Sequence, residues 1–334
     1  MTILVLGGTR FVGKYFVEMA ISRGHQVTLF NRGRSNPNLF DGLEQIVGDR
    51  GVDLSALEGR TWDAVFDTSG YFPRVVGLAA QALKGNVKSY LFISSISVYK
   101  EADTEIQNED SEVATLAGTY IEEINFETYG ALKAVCEEII QAVFGAGALI
   151  VRPGLIVGPG DYSDRFTYWP VRMHRAGNVL IPDIKDQLVQ IIDVRDLAYW
   201  CLTLLENKVG GVFNATGPLT PYRFEEVVFA CAEGCSANLI WVDGQFLDEH
   251  GVQPWSDIPL ALDLASSDSG LGAIDVSRAV AKGLEFRPLK EIVEGTRTWA
   301  LSRPENHEWR AGLSPEREAN LLREWEGRRV DSTK

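Results

Sequence analysis

This chain predicts a doubly wound α/β fold, a parallel sheet with crossover helices and a smaller lobe after it. Three observations carry that expectation. Short apolar runs alternate with helix-like runs through the first half of the 334 residues. The first run ends in closely spaced glycines and passes directly into a helix, and the alternation fades after about Gly154. With 45% hydrophobic residues the chain has material for one large core or two joined ones, and is far too apolar for a disordered chain.

Ile3–Leu6 is the first strand and Phe11–Arg23 the helix after it, with Gly24 as its C-terminal stop. Gln26–Phe30, Gln45–Val47, Ala64–Phe66, Tyr90–Ile93 and Ala148–Val151 are further apolar runs that end in polar or glycine-rich turns, as parallel strands do. An aromatic stretch, Arg165–Pro170, precedes strand-like pieces at Val179–Ile181 and Leu188–Ile192. Val212–Ala215 reads as a late return to the sheet. Pro221–Ala230 and Val276–Lys282 read as helices of the second lobe. Ser314–Arg329 opens on Ser-Pro and carries a Leu321, Leu322, Trp325 stripe, an amphipathic helix that docks on that lobe. The division expected is therefore 1–158 with a returning segment at about 187–217, against 159–186 and 218–334.

A formal net charge of −14 disfavours nonspecific binding to a polyanion, since nucleic-acid footprints are built from surplus Lys and Arg. Cys136, Cys201, Cys231 and Cys235 fit neither a disulfide framework nor a zinc pattern, and no metal is expected. A first strand beginning at Thr2 leaves no room for a signal peptide, and no apolar run approaches a membrane span. The expectation is a cytoplasmic protein with reduced thiols.

In LVLGGTRFVGK, Leu4–Lys14, glycines at 7, 8 and 13 let a backbone and a helix come close, and the helix N-terminus presents amides to a pyrophosphate. Thr9, Arg10, Phe11 and Val12 complete this Rossmann-type loop. The second strand ends in FNRGR, where an NAD-selective chain carries an acidic residue for the ribose. Asn31 cannot make that carboxylate contact. Arg32, Arg34 and Arg10 can meet a 2′-phosphate, which points to NADP(H) with NAD(H) as the other possibility; the bland alternative is solvated arginines. Asp49 either accepts from an adenine amino group or closes a turn. Thr68, Ser69 and Gly70, just past the Ala64–Phe66 strand, are further cofactor positions.

YGALK places Tyr129 and Lys133 on one helix face. A cation there lowers a phenol's pKa, so that it can exchange a proton with a carbonyl or alcohol. Of the ten tyrosines only Tyr129 has lysine four residues on. Upstream, FISSISVY ends a strand, where doubly wound sheets place their chemistry. Ser94, Ser95 and Ser97 are each either a donor to the reacting oxygen or an ordinary turn residue.

These residues together resemble the extended short-chain dehydrogenase/reductases, the superfamily of nucleotide-sugar epimerases and dehydratases. The likeness runs through the glycine loop, GDR, FISSISVY, YGALK, RPGLIVGPG (Arg152–Gly160), IIDVRDLA (Ile191–Ala198) and FNATG (Phe213–Gly217). It implies a catalytic Ser95, Tyr129 and Lys133, and a segment through Pro153 and Leu155 passing beside a nicotinamide. A homodimer is also implied. The GGTRF loop is similar to an atypical branch that includes chloroplast stem-loop RNA-binding proteins, which keeps RNA as an alternative partner. Departures from the epimerase pattern are Val189, where those enzymes have arginine, with Leu155 for asparagine and Val157 for tyrosine. They remove donors to a nucleotide sugar and favour an NADP(H)-dependent oxidoreductase acting on a small carbonyl or hydroxyl compound. A nucleotide-sugar epimerase or dehydratase with tightly held NAD is the alternative. Arg165, Tyr168 and Trp169 are either a substrate-stacking lid or packing.

Overall fold

The computed structural model describes residues 1–100, 106–116, 122–264 and 273–331. In chain order its first elements are β1 (Thr2–Leu6), α1 (Phe11–Ser22), β2 (Gln26–Asn31), β3 (Glu44–Val47), β4 (Trp62–Asp67), α2 (Pro73–Leu83), β5 (Val87–Ile93), α3 (Phe126–Phe144), β6 (Ala148–Pro153) and β7 (Leu155–Val157). Next come α4 (Tyr168–His174), β8 (Gly177–Pro182), β9 (Leu188–Val189), β10 (Ile191–Asp193), α5 (Val194–Glu206) and β11 (Gly211–Ala215). The remainder is β12 (Tyr222–Arg223), α6 (Phe224–Ala232), β13 (Ala237–Val242), α7 (Gly244–Glu249), α8 (Ser277–Val280), α9 (Leu289–Leu301) and α10 (Pro315–Asp331). Among the described residues, no helix is long and apolar enough to cross a membrane.

Two compact units result. The first joins Met1–Ile156, Ile191–Leu219 and Ile274–Phe286; the second joins Val157–Gln190, Thr220–Ala273 and Arg287–Lys334. In the first unit a parallel sheet runs β11-β6-β5-β4-β1-β2-β3, as the doubly wound expectation requires. Successive strand residues face opposite layers, so a strand buried on both sides must be apolar throughout. β1 shows this: Ile3 and Val5 pack with Phe16 of α1 and Leu197 of α5, whereas Leu4 and Leu6 pack with Val76 of α2 and Ile140 of α3. The chain leaves β1 toward β2 and β3, then returns to β4 on the other side of β1. That reversal opens a crevice at the carboxyl ends of β1 and β4.

In the second unit β13 lies parallel to β8, and β12 antiparallel to β9. The Leu188–Ile192 run expected as one strand is two, β9 and β10, parted at the boundary between units. The helix expected from Pro221 starts at Phe224, because Tyr222 and Arg223 pair with β9 first. The helix expected over Val276–Lys282 is shorter and belongs to the first unit. There Asn214 Nδ2 donates to Asp275 O at 3.0 Å and Trp200 Nε1 to Lys282 O at 3.1 Å. Ser314 caps α10 through a bond accepted from the Arg317 amide, and Leu321 and Leu322 are buried.

Candidate active site

Three glycines shape the β1–α1 turn, each for a different reason. Gly7 has φ +112°, and a Cβ there would meet Thr68 Oγ1 at 2.7 Å. Gly8, at φ +98°, would meet Leu29 and Val5, and a Cβ on Gly13 would sit 2.8 Å from Gly8 Cα. The turn is therefore open to glycine alone, and it brings α1 close under the loop. Thr9 and Val12 are buried, and Phe11 takes φ 34° to begin the helix. Arg10, at the N-cap, makes no side-chain cap, and the first turn of α1 carries no acidic residue. The positive dipole end of the helix therefore favours an anion and has no acidic side chain of its own in the first turn to compete with it.

The Tyr129–Lys133 pair lies on α3, whose start is set by a capping box. Asn125 Oδ1 accepts from the Glu127 and Thr128 amides, and Thr128 Oγ1 accepts from the Asn125 amide. Tyr129 is half-buried in the first turn. One turn on, Lys133 is buried, its Nζ donating to Gly70 O at 2.7 Å and Ile93 O at 2.6 Å, with the Phe92 ring 4.0 Å away. Burial pushes its pKa down to about 8. Between the two residues, Gly130 lets α3 lie on the turn that follows β5, since a Cβ there would be 1.9 Å from Ser97 O. Ser95 caps that turn, its Oγ accepting from the Ser97 amide at 3.1 Å and bonding Ser97 Oγ at 3.0 Å. Ser94 Oγ is buried with no partner among the described residues.

Asn31, at the end of β2, accepts from the Gly33 amide through Oδ1 at 2.8 Å, while its buried Nδ2 finds no partner among the described residues. Arg10, Arg32 and Arg34 are exposed. Asp49 does close a turn, its Oδ1 accepting from the Gly51 amide at 3.0 Å. Thr68 and Ser69 bond back to Leu6 O, fixing the β4 loop against the glycine turn. Pro153 ends β6; Gly154 follows so tightly that a Cβ would be 2.2 Å from Thr216 Oγ1, and Leu155 is half-buried beyond it.

Two buried polar networks escaped sequence reasoning. Arg50 makes a fork onto Asp67, Nη1 to Oδ1 at 2.7 Å and Nη2 to Oδ2 at 2.8 Å; Tyr90 OH donates to Asp67 Oδ2 at 2.8 Å. Burial works against the Asp67 carboxylate, but the Arg50 guanidinium with the Ser69 amide and the Tyr90 hydroxyl together outweigh it and hold the pKa below the usual range. In the second network Arg152 pairs with Glu137 of α3 at 2.6 Å and donates to Tyr99 OH at 3.0 Å. Tyr99 OH in turn donates to Asn214 Oδ1 at 2.6 Å. The prior signals were a charged residue closing an apolar run, Asp67 after Ala64–Phe66 and Arg152 after Ala148–Val151, and the place of Arg50 and Arg152 in the GDR and RPGLIVGPG motifs, none of which showed the pairing.

Of the two readings of the Arg165–Pro170 stretch, packing describes Tyr168 and Trp169 as the structure places them. Trp169 is fully buried in the second unit, its Nε1 donating to Pro259 O at 2.8 Å and its ring edge-on to Phe224. Tyr168 is buried against Trp309 and Gly312, because aromatic residues at the start of α4 form that unit's core. Arg165 stacks over the Trp255 ring at 5.0 Å.

The glycine cradle, the α1 N-terminus, and Asn31 Nδ2 and Ser94 Oγ, both without a partner among the described residues, fit a dinucleotide lying across the carboxyl ends of β1, β2 and β5. The sequence profile of the NAD dependent epimerase/dehydratase family matches residues 3–85 and 74–216, and the chain belongs to that family.

Among individual proteins, it is 28% identical over 249 residues to the chloroplast stem-loop binding protein of 41 kDa b of Arabidopsis thaliana, covering 69% of this chain and 62% of that one. It is 29% identical over 178 residues to 2-alkyl-3-oxoalkanoate reductase of Stenotrophomonas maltophilia, covering 48% of this chain and 52% of the relative. The chain thus spans less than two thirds of either relative. Among solved structures it superposes on UDP-glucose 4-epimerase of Thermotoga maritima with TM-score 0.67 at 18% identity, covering 90% of this chain and 99% of that one. The UDP-glucuronic acid 4-epimerase of Bacillus cereus in complex with NAD gives 0.64 at 17%, with 91% and 100% covered. These likenesses show the fold.

Proposed function

We infer that the protein is an NADP(H)-dependent oxidoreductase acting on a carbonyl or hydroxyl group of a small molecule. The observation that carries this reading is the docking of α3 through Gly130 onto the Ser95 turn, which puts Lys133 between two carbonyls at the carboxyl ends of β4 and β5. A nicotinamide dinucleotide supplies a hydride donor or acceptor when bound. The glycine turn and the α1 amides hold its pyrophosphate, Asn31 Nδ2 donates to its adenosine ribose, and Arg10, Arg32 and Arg34 meet a 2′-phosphate. Tyr129 gives a proton to, or takes one from, the substrate oxygen. Ser95 orients that oxygen by turning its hydroxyl from Ser97. Lys133 favours the tyrosinate and binds the nicotinamide ribose. The reductase relative supports net redox chemistry, whereas the epimerase structures support a second reading in which NAD is retained and hydride returns to a nucleotide sugar.

The test is calorimetric titration with NADP(H) and NAD(H), followed by a carbonyl-substrate screen and a Tyr129→Phe variant. Reversible, NADP(H)-selective binding is expected, with Tyr129→Phe retaining affinity and losing turnover. Co-purifying NAD would favour the epimerase reading. Binding of neither cofactor, with binding of a stem-loop RNA, would replace both.

A further inference from the structure

Lys133 owes its place to a loop, and the loop owes its shape to a buried ion pair that nothing in the proposed chemistry touches. The Gly70 carbonyl that accepts from Lys133 ends the segment Asp67-Thr68-Ser69-Gly70. That segment begins on Asp67, fully buried, whose Oδ1 accepts from the Ser69 amide at 3.0 Å and whose two oxygens fill the Arg50 fork. Arg50 also donates to Ser69 Oγ at 3.2 Å, so one guanidinium grips both ends of the turn. The far side admits no slack: a Cβ on Gly70 would lie 2.5 Å from Phe92, 2.8 Å from Val76 and 3.2 Å from Asp67 Oδ2. Phe92 is the same ring that faces Lys133.

We propose that Arg50 is a positioning residue for Lys133: by clamping Asp67 it sets the Asp67–Gly70 turn whose carbonyl, with that of Ile93, holds the ammonium one helical turn after Tyr129. This rests on the reading of Lys133 as a dinucleotide and proton-transfer residue. The ionisable groups acting on Lys133 include Cys136 and Glu137 of its own helix, Asp67 at the end of β4 and Arg50 in the loop after β3, and the Tyr71 ring lies 5.5 Å away; Asp67 favours the ammonium and Arg50 opposes it. Because those two charges act with opposite sign, removing both leaves the position of the ammonium as the quantity a titration reads. A buried fork is also not a point charge, so lysine at position 50 keeps the cation and loses the geometry.

The experiment follows the Lys133 side-chain signal by NMR against pH in protein carrying 13C-labelled lysine, assigned through Lys133→Met. It compares wild type, Arg50→Lys and Arg50→Met/Asp67→Asn, with calorimetric NADP(H) and NAD(H) affinities for each. In wild type the midpoint falls near 8. In both variants it moves up toward that of exposed lysines as the grip loosens and water enters, and cofactor affinity drops by about tenfold or more, the scale of one lost hydrogen bond from a charged group. Arg50→Lys carries the same expectation should the double variant fail to fold. A folded variant with an unmoved midpoint and unchanged affinity would overturn the proposal. A midpoint that moves in a protein binding neither cofactor would uphold the positioning role and overturn the dinucleotide reading instead.

Discussion

Gly130→Ala is the smallest change that tests the architecture of the site. The added Cβ would sit 1.9 Å from Ser97 O and 2.9 Å from Ser97 C, both backbone atoms that cannot swing aside. Ordinary contact begins near 3.4 Å, so α3 or the serine turn must give by about 1.5 Å. Alanine in mid-helix returns about 0.5–1 kcal/mol of propensity, whereas forcing a methyl into a packed site costs about 1–3 kcal/mol. The net expectation is a loss of about 1–2 kcal/mol. Gly77→Ala on α2 is the matched control. Its Cβ would meet only Ile139 Cγ2 at 4.0 Å, so the propensity gain stands and the variant is more stable by about 0.5–1 kcal/mol. Urea unfolding followed by tryptophan fluorescence reads both signs. Displacing the helix by about 1 Å also costs about 100-fold in any reaction that depends on Tyr129 and Ser95 together. An unchanged urea midpoint in Gly130→Ala, with unchanged cofactor affinity, would refute the claim that this contact sets the site.

Other outcomes follow from the same geometry. The folded chain holds Lys133 near 8 against an ordinary 10.5, so between those values the unfolded chain binds more protons. The stability of wild type relative to Lys133→Met should therefore rise as pH climbs from about 8 toward 10.5, by roughly 3 kcal/mol across the window, in paired denaturant titrations. A flat difference would mean that the lysine is solvated. Arg32→Ala should weaken NADP(H) about 10- to 100-fold by calorimetry and leave NAD(H) unchanged; equal loss of both would remove the 2′-phosphate contact. Arg152→Met strands the buried Glu137 carboxylate and should cost about 3–5 kcal/mol in urea unfolding, most of it recovered by Arg152→Met/Glu137→Gln. If the double variant is no better than the single one, the pair is not what stabilises α3.

How far this was legible in the sequence depends on the range of the interaction. The glycine loop and the Tyr129–Lys133 spacing are local, set by a turn and by one helical repeat, and both could be read directly. The sheet followed from apolar runs between crossovers. Gly130 was read past, because its importance comes from Ser97, which reaches it only after a long excursion of the chain. Arg50 lies in the loop after the edge strand β3, Asp67 at the end of β4 and Tyr90 on neighbouring β5; they meet only in the folded unit, and no spacing encodes that. Tyr168 and Trp169 left two readings open. Aromatic residues beside a proline look alike whether they stack on a ligand or fill a core, and in α4 burial decides for the core.

Strand β11 has a temporal consequence. It pairs with β6 along the full run from Gly211 to Ala215, yet about 60 residues lie between the end of β6 and its start, most of them belonging to the second unit. A ribosome adding about 5–20 residues per second needs several seconds to cross that gap. Throughout it the nascent β6 shows an unpaired edge, and the layer that α5 later covers stands open. Molecular chaperones should therefore meet this chain during synthesis, while the second unit emerges, rather than after release.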